Sequence, residues 1–437
     1  MKLLIYFLLS LTWSRQVFSR VPELSKKYDE YYQPEQVHIS FGEKINDIVV
    51  TWSTFNDTGD TRVRYGERVM DQEANGTRTL FIDGGRRRRR QYIHTVTLRD
   101  LKFSTRYVYH VGSVFGWSDQ FSFVTKPEGE NWVVTAAIYG DMGVENAQSL
   151  SYLQEETQNN NLDLILHVGD MAYDMDTDNG LVGDQFMRQI EPIAAYVPYM
   201  TCPGNHEEAY NFSNYANRFT MPGRDSSLFY SFDVGPIHFV SISTEVYYYP
   251  KYGIKLIINQ YDWLEEDLKK ANLSENRSKR PWIIIFGHRP MYCSDKKDVD
   301  CEKERTRTGF DGSWALEPFL KDYGVDLAFW GHDHYYERAF PLYNNQMYNG
   351  STENPYVNPG APVHIITGSA GCNEEHSGFR NDPKPWSAFR NSAYGYTRLV
   401  AHNNTHIYLE QVDVESKGKV IDSIWIVKDQ HKAYDIK

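Results

Sequence analysis

Cysteine is scarce in this chain, with four residues in 437. That count excludes a disulfide-dense scaffold. Positive charge is also in deficit: 46 Lys and Arg stand against 58 Asp and Glu, a net charge of -12. A chain so acidic is not a bulk binder of nucleic acid, whose phosphates attract basic surfaces. Small phosphorylated molecules are not excluded, because the field inside a cleft can oppose the global sign. Long apolar runs are missing as well. The one run, Leu3 to Trp13, is too short to span a bilayer, and the tail from Lys428 to Lys437 is polar, unlike a lipid-anchor signal.

The short run is informative in another way. Lys2, the apolar stretch and the small residue in Val17-Phe18-Ser19 predict a signal peptide over residues 1–19. Seven N-x-Ser/Thr sequons follow, at Asn56, Asn75, Asn211, Asn272, Asn276, Asn349 and Asn403. Together they predict a secreted glycoprotein or another secretory-pathway resident such as a lysosomal one. Cys293 and Cys301, eight positions apart in a polar stretch, read as a disulfide closing a loop in an oxidising compartment. Cys202 and Cys372 either pair or stay buried as thiols.

Two grammars divide the mature chain. From Pro34 to Lys126 short alternating runs recur, such as Val37 to Phe41, Ile48 to Trp52, Thr95 to Leu98 and Tyr107 to Val111. They predict a small β-sandwich without catalytic spacing, a surface for a partner or a dimer. The run Arg86 to Arg90 within it reads as a solvated turn, with a processing site or a polyanion contact as the functional alternative. After Pro127 to Asn131 the pattern changes to buried-strand runs separated by helical stretches: Val133 to Ile138, Leu162 to Val168, Ile237 to Ile242, Trp282 to Phe286, Val325 to Trp330 and Val363 to Thr367. Helices are predicted over Glu145 to Gln158 and Gln260 to Lys270. The alternation predicts sheets covered by helices.

Five motifs carry chemistry: Gly140-Asp141-Met142-Gly143, Gly169-Asp170-Met171-Ala172-Tyr173, Gly204-Asn205-His206-Glu207, Gly287-His288 and Gly331-His332-Asp333-His334. Each sits just past the C-terminal end of an apolar strand, the edge where α/β sheets bind ligands. A carboxylate, amide and imidazole set suits hard or borderline metal ions. One carboxylate can bridge two ions about 3.5–4 Å apart, which clamp a phosphorus centre and bring bound water to hydroxide near neutrality. A Gly-Asp turn or a lone Gly-His is ordinary; five in this order, all at strand ends, are not.

The motifs resemble those of the metallophosphoesterase superfamily, and among them the purple acid phosphatases of the long, two-domain animal type. The similarity runs from Pro34-Glu35-Gln36-Val37-His38 to Asp422-Ser423-Ile424-Trp425-Ile426-Val427. The Gly-Asp-x-x-Tyr pattern ending at Tyr173 separates this family from its relatives. The resemblance implies an α+β, strand-rich fold. A fibronectin-III-like β-sandwich would cover 34–126. A catalytic domain of two packed mixed sheets flanked by helices would cover 131–437, C-terminal strands included. It implies Fe3+ on Asp141, Asp170, Tyr173 and His334, and a divalent ion (Fe2+, Zn2+ or Mn2+) on Asp170, Asn205, His288 and His332, with Asp170 as bridge. His206 would face the phosphate as the catalytic residue, with Glu207 as its partner. The implied activity is acid hydrolysis of phosphomonoesters by a metal-bound hydroxide. A phosphodiesterase, a nucleotide or pyrophosphate hydrolase, and a silent secreted binding protein are the alternatives. Oligomeric state stays open between monomer and homodimer. Plant members carry two adjacent histidines in the loop after His288; here Arg289 to Arg305 has none. Arg289, Tyr292, a loop lysine and His376 are the substrate-side candidates.

Overall fold

The computed structural model describes residues 30–223, 227–296, 304–374 and 376–436. The leader expected over 1–19 and Cys301 lie outside the described residues.

The N-terminal part is a pair of antiparallel sheets. One orders the strands Glu35–Phe41, Ile48–Thr54, Arg90–Leu98 and Thr77–Ile82. The other orders Gln72–Asn75, Arg62–Gly66, Arg106–Ser113 and Gly116–Trp117, with Phe121–Val124 also paired to Arg106–Ser113. Period-two patterning fills the space between them: Val50, Trp52, Val63, Val96, Tyr109 and Val111 are all buried. Glu35–Phe41 is buried on both faces because its outer face packs on the helix Thr177–Ala194 of the second part. Two hydrogen bonds fix that seam: Val37 N–H donates to Glu191 Oε2 at 2.7 Å and Tyr109 O–H to the Ala195 carbonyl at 2.7 Å. The arginine run is a turn, with Arg86, Arg87, Arg88 and Arg90 exposed. Arg89 is different. It pairs with the buried Asp184 across the seam, where Arg218 also donates to Asp184 at 2.8 Å.

The second part holds two mixed sheets. The six-stranded sheet runs Tyr199–Cys202, Leu164–Val168, Val134–Tyr139, Gly395–Ala401, His406–Asp413, Lys419–Val427. Its first three strands are parallel. The seven-stranded sheet runs Tyr230–Val234, Ile237–Ser241, Trp282–Phe286, Leu327–Trp330, Val363–Thr367, Tyr336–Ala339, Ser387–Asn391, and its second to fifth strands are parallel. Most of the parallel strands are apolar and buried along their length, as strands covered on both faces must be: Trp282–Phe286 and Leu327–Trp330 throughout, Leu164–Val168 and Val363–Thr367 with His167, His364 and Thr367 buried among them. The sheets meet where Gly140 N–H donates to the Thr367 carbonyl at 2.9 Å. The helix expected over Glu145 to Gln158 begins only at Leu150. Asn146 sits at φ 61° and its amide donates to the Cys372 carbonyl at 2.6 Å, which breaks any earlier helical turn. The helix expected from Gln260 runs longer, over Lys255–Ala271. Cys202 and Cys372 are buried free thiols, and Cys293 is disulfide-bonded.

Candidate metal centre

The C-terminal ends of five parallel strands point at one place. Val134–Tyr139 delivers Asp141, Leu164–Val168 delivers Asp170 and Tyr173, and Tyr199–Cys202 delivers Asn205 and His206. From the other sheet, Trp282–Phe286 delivers His288 and Leu327–Trp330 delivers His332 and His334. Asp141, Asp170, Tyr173 and His332 all take positive φ, at 61°, 49°, 50° and 71°. Such backbone costs roughly 1–3 kcal/mol per residue and concentrates where function demands it. Glycines give the loops room. A methyl on Gly204 would lie 2.2 Å from Asp170 Oδ1, and one on Gly331 would lie 2.6 Å from Asp141 Oδ2.

The donors fall into two adjoining groups. In one, His288 Nε2 lies 3.1 Å from Asp170 Oδ2 and 3.1 Å from Asn205 Oδ1. The ligating atoms of Asp170, His288 and His332 lie within 4.8 Å of one another. In the other, the Tyr173 hydroxyl lies 2.9 Å from His334 Nε2 and 3.3 Å from Asp141 Oδ1, with 3.6 Å from Asp141 Oδ1 to His334 Nε2. All seven residues expected as ligands are thus brought together. His288 is oriented by Nδ1, which donates to the Val168 carbonyl at 2.9 Å and turns Nε2 toward the site. So many oxygen and imidazole donors, packed at non-bonded distances with Asp141 and Asp170 both buried, fit cations between them.

Electrostatics agree with that fit. Burial alone would raise the Asp170 carboxyl, but His288 and His206 outweigh it and hold Asp170 well below the usual carboxylate range. Burial lowers His332 far below its ordinary value, and the neighbouring Arg289 and His288 charges lower it further, so His332 is a neutral donor.

His206 stands at the open side, half-buried, with its ring 4.4 Å from that of Tyr173. Burial opposes its charge, but Asp170 and Asp174 prevail and push it up to about 10. Its side-chain partner is Asp174, whose Oδ1 lies 2.6 Å from Nδ1; Nε2 is 3.8 Å from Glu374 Oε1. Glu207, expected as that partner, turns the other way. Its carboxylate accepts from the Asp170, Met171 and Gly204 N–H groups at 2.9, 2.9 and 2.8 Å, tying two ligand loops together. Of the other candidates, Tyr292 is buried and donates to Glu317, away from the site, and His376 is exposed with its ring 4.0 Å from that of Tyr394. Arg289 reaches the site: its Nη1 donates to His332 Nε2 at 2.9 Å. Asp174 and Glu374 escaped sequence reasoning; only the adjacency of Asp174 to Tyr173 marks it.

Comparison with known proteins places three family models along the chain. The N-terminal domain of purple acid phosphatase matches residues 34–125, calcineurin-like phosphoesterase matches 134–336, and the iron/zinc purple acid phosphatase-like protein C matches 361–423. Acid phosphatase type 7 of Danio rerio is 53% identical, covering 91% of this chain and 92% of its own length. The Homo sapiens acid phosphatase type 7 is 50% identical, covering 90% and 91%. Among solved structures, a purple acid phosphatase from yellow lupin (Lupinus luteus) seeds superposes with TM-score 0.76 at 27% identity, covering 91% of this chain and 75% of that one.

Proposed function

Since this chain belongs to the purple acid phosphatase family of metallophosphoesterases, we propose that it is an acid phosphatase that hydrolyses small phosphomonoesters at a ferric–divalent pair held between its two sheets. The observation that supports this best is the pairing of donor groups around Asp170. Asp141, Tyr173 and His334 would hold Fe3+, and Asn205, His288 and His332 would hold Fe2+, Zn2+ or Mn2+, with the Asp170 carboxylate shared. Bound there, the metal pair supplies Lewis acidity toward phosphoryl oxygens and lowers the pKa of water.

The protein's own groups do the rest. Glu207 fixes the loop carrying Asp170 by accepting its two N–H groups. Asp174 holds Nδ1 of His206, so that the Nε2 proton faces the site, where it passes to the leaving alkoxide oxygen as the P–O bond breaks. The same proton stabilises charge on the phosphoryl group before transfer. Half-buried Tyr173, Asn205, His206 and His332 leave the site open to a soluble ester.

Metal analysis with a visible spectrum tests the reading. Iron, a second metal and a tyrosinate absorption lost in Tyr173→Phe are expected, together with faster turnover of a monoester than of a diester. A colourless, iron-free enzyme of full activity would overturn the iron assignment, and a preference for diesters would overturn the substrate class. We place the protein in the secretory pathway; the exposed sequons at Asn75, Asn211, Asn349 and Asn403 and the disulfide at Cys293 support that placement. Among the described residues no helix is long and apolar enough to cross a membrane.

A further inference from the structure

The loop after His288 lacks histidine, yet the structure brings a different cation to that side. Arg289 follows His288 directly, and its side chain is 7% exposed. Its backbone and its stem are held in place. Its backbone N–H donates to Thr244 Oγ1 at 2.9 Å, its Nε to Glu245 Oε2 at 3.0 Å, and its guanidinium stacks over the Tyr248 ring at 4.5 Å. Glu245 is itself fully buried and receives the Thr244 hydroxyl at 2.9 Å. These partners come from the loop that follows the parallel strand Ile237–Ser241, a sixth strand end at the same edge. The far end, Nη1, points at His332 Nε2, 2.9 Å away.

That aim has a chemical consequence. His332 Nε2 has one lone pair. A cation that takes it would have Nη1 beside it, on a guanidinium whose stem Glu245 and Tyr248 keep in place. Glu245 answers the charge at Nε, and Nη1, turned to the His332 side, is placed to add a hydrogen bond to an oxyanion that the cation attracts. A planar guanidinium with a metal beside it fits a tetrahedral oxyanion, one oxygen on each. His206 faces the same space from the Tyr173 side, across from Arg289.

We propose that Arg289 binds the substrate phosphoryl group on the His332 side, and that Glu245 and Tyr248 are positioning residues for it. The assignment rests on the phosphatase reading above. It makes Arg289 the counterpart, on this chain, of whatever the histidine-free loop does not supply.

The test uses the metal-loaded wild type, Arg289→Ala and Arg289→Lys, with inorganic phosphate as the probe. Phosphate binding is measured by calorimetry, monoester hydrolysis by steady-state kinetics, and metal content by elemental analysis. In Arg289→Ala, phosphate affinity falls and KM rises in parallel by on the order of tenfold to a hundredfold, the range for losing a charge-assisted hydrogen bond. kcat changes less, and metal content stays at the wild-type level. Arg289→Lys recovers part of the affinity. Where Arg289→Ala does not fold, Tyr248→Leu replaces it, with a smaller parallel loss of phosphate affinity and a rise in KM. Phosphate affinity and KM indistinguishable from wild type, or a loss of metal with KM unchanged, would overturn the assignment. A wild type that neither binds phosphate nor hydrolyses a monoester would overturn the phosphatase reading itself, and this assignment with it.

Discussion

Oδ1 of Asp174 lies 2.6 Å from Nδ1 of His206, one residue beyond the tyrosine of the Gly-Asp-x-x-Tyr pattern. A single loop therefore carries two of the proposed metal donors and the group that orients the proposed acid. Replacing Asp174 by Asn keeps the shape and removes the charge. The expected result is a kcat lower by about tenfold to a hundredfold, with little change in KM and full metal content. Steady-state kinetics beside metal analysis check it; an unchanged kcat would separate Asp174 from the chemistry.

Gly204 admits no side chain. Its added methyl would stand 2.2 Å from Asp170 Oδ1 and 2.5 Å from Asp170 N, both fixed in place by their loop. Gly204→Ala and Asp170→Ala are both expected to lose bound metal and hydrolysis together, by more than about a hundredfold in activity. Gly378→Ala is the control, since nothing lies within 4 Å of its added carbon. Elemental analysis of the three variants decides the matter, and a fully active Asp170→Ala refutes the shared carboxylate.

Stability is expected to fall on both sides of near-neutral pH. Burial pushes His38 and His94 from 6.5 down to about 4. Their neutral rings contribute fully above 6.5, and that contribution disappears as pH falls toward 4, costing roughly 3 kcal/mol each. His238 behaves in the opposite way. Burial opposes its charge, yet Asp233 and Asp267, at 2.7 and 2.9 Å, push it up to about 9. Its contribution is complete below 6.5 and vanishes as pH rises through 9. Denaturant midpoints measured from pH 4 to 10 check this, and His238→Asn should flatten the alkaline limb alone.

The sequons are not equivalent. The Asn272 amide nitrogen donates to the Leu268 carbonyl at 3.1 Å and to the Tyr323 carbonyl at 2.8 Å. A glycan on that nitrogen would break this anchoring of the helix end. Asn75, Asn211, Asn349 and Asn403 are exposed. Peptide mapping after enzymatic deglycosylation of protein expressed through the secretory pathway of a eukaryotic host should mark those four and leave Asn272 unmodified. A marked Asn272 would contradict the arrangement of that helix end.

Local pattern made much of this legible. Parallel strands buried on both faces read as apolar runs, and a polar residue beside a glycine just past such a run can reach the ligand-binding edge. That logic found Asp141, Asp170, Asn205, His288 and His332 without knowing which strands are neighbours. It failed where the partner comes from a distant segment. Glu207 sits beside His206 in sequence, but the tight turn sends the two side chains apart. Glu245 lies 44 positions from Arg289 and follows a strand whose end carries no motif. The helix start at Leu150 was equally hidden, because the contact that breaks the earlier turn comes from Cys372.

The split of the donors between the sheets has a consequence for how the protein matures. Asp141, Asp170, Tyr173 and Asn205 belong to one sheet; His288, His332 and His334 belong to the other. Neither half alone offers a cation more than part of its shell. On the proposed reading, loading with metal would therefore certify assembly: only a molecule whose two layers have found each other could be charged, and once charged it would be riveted across its own midline.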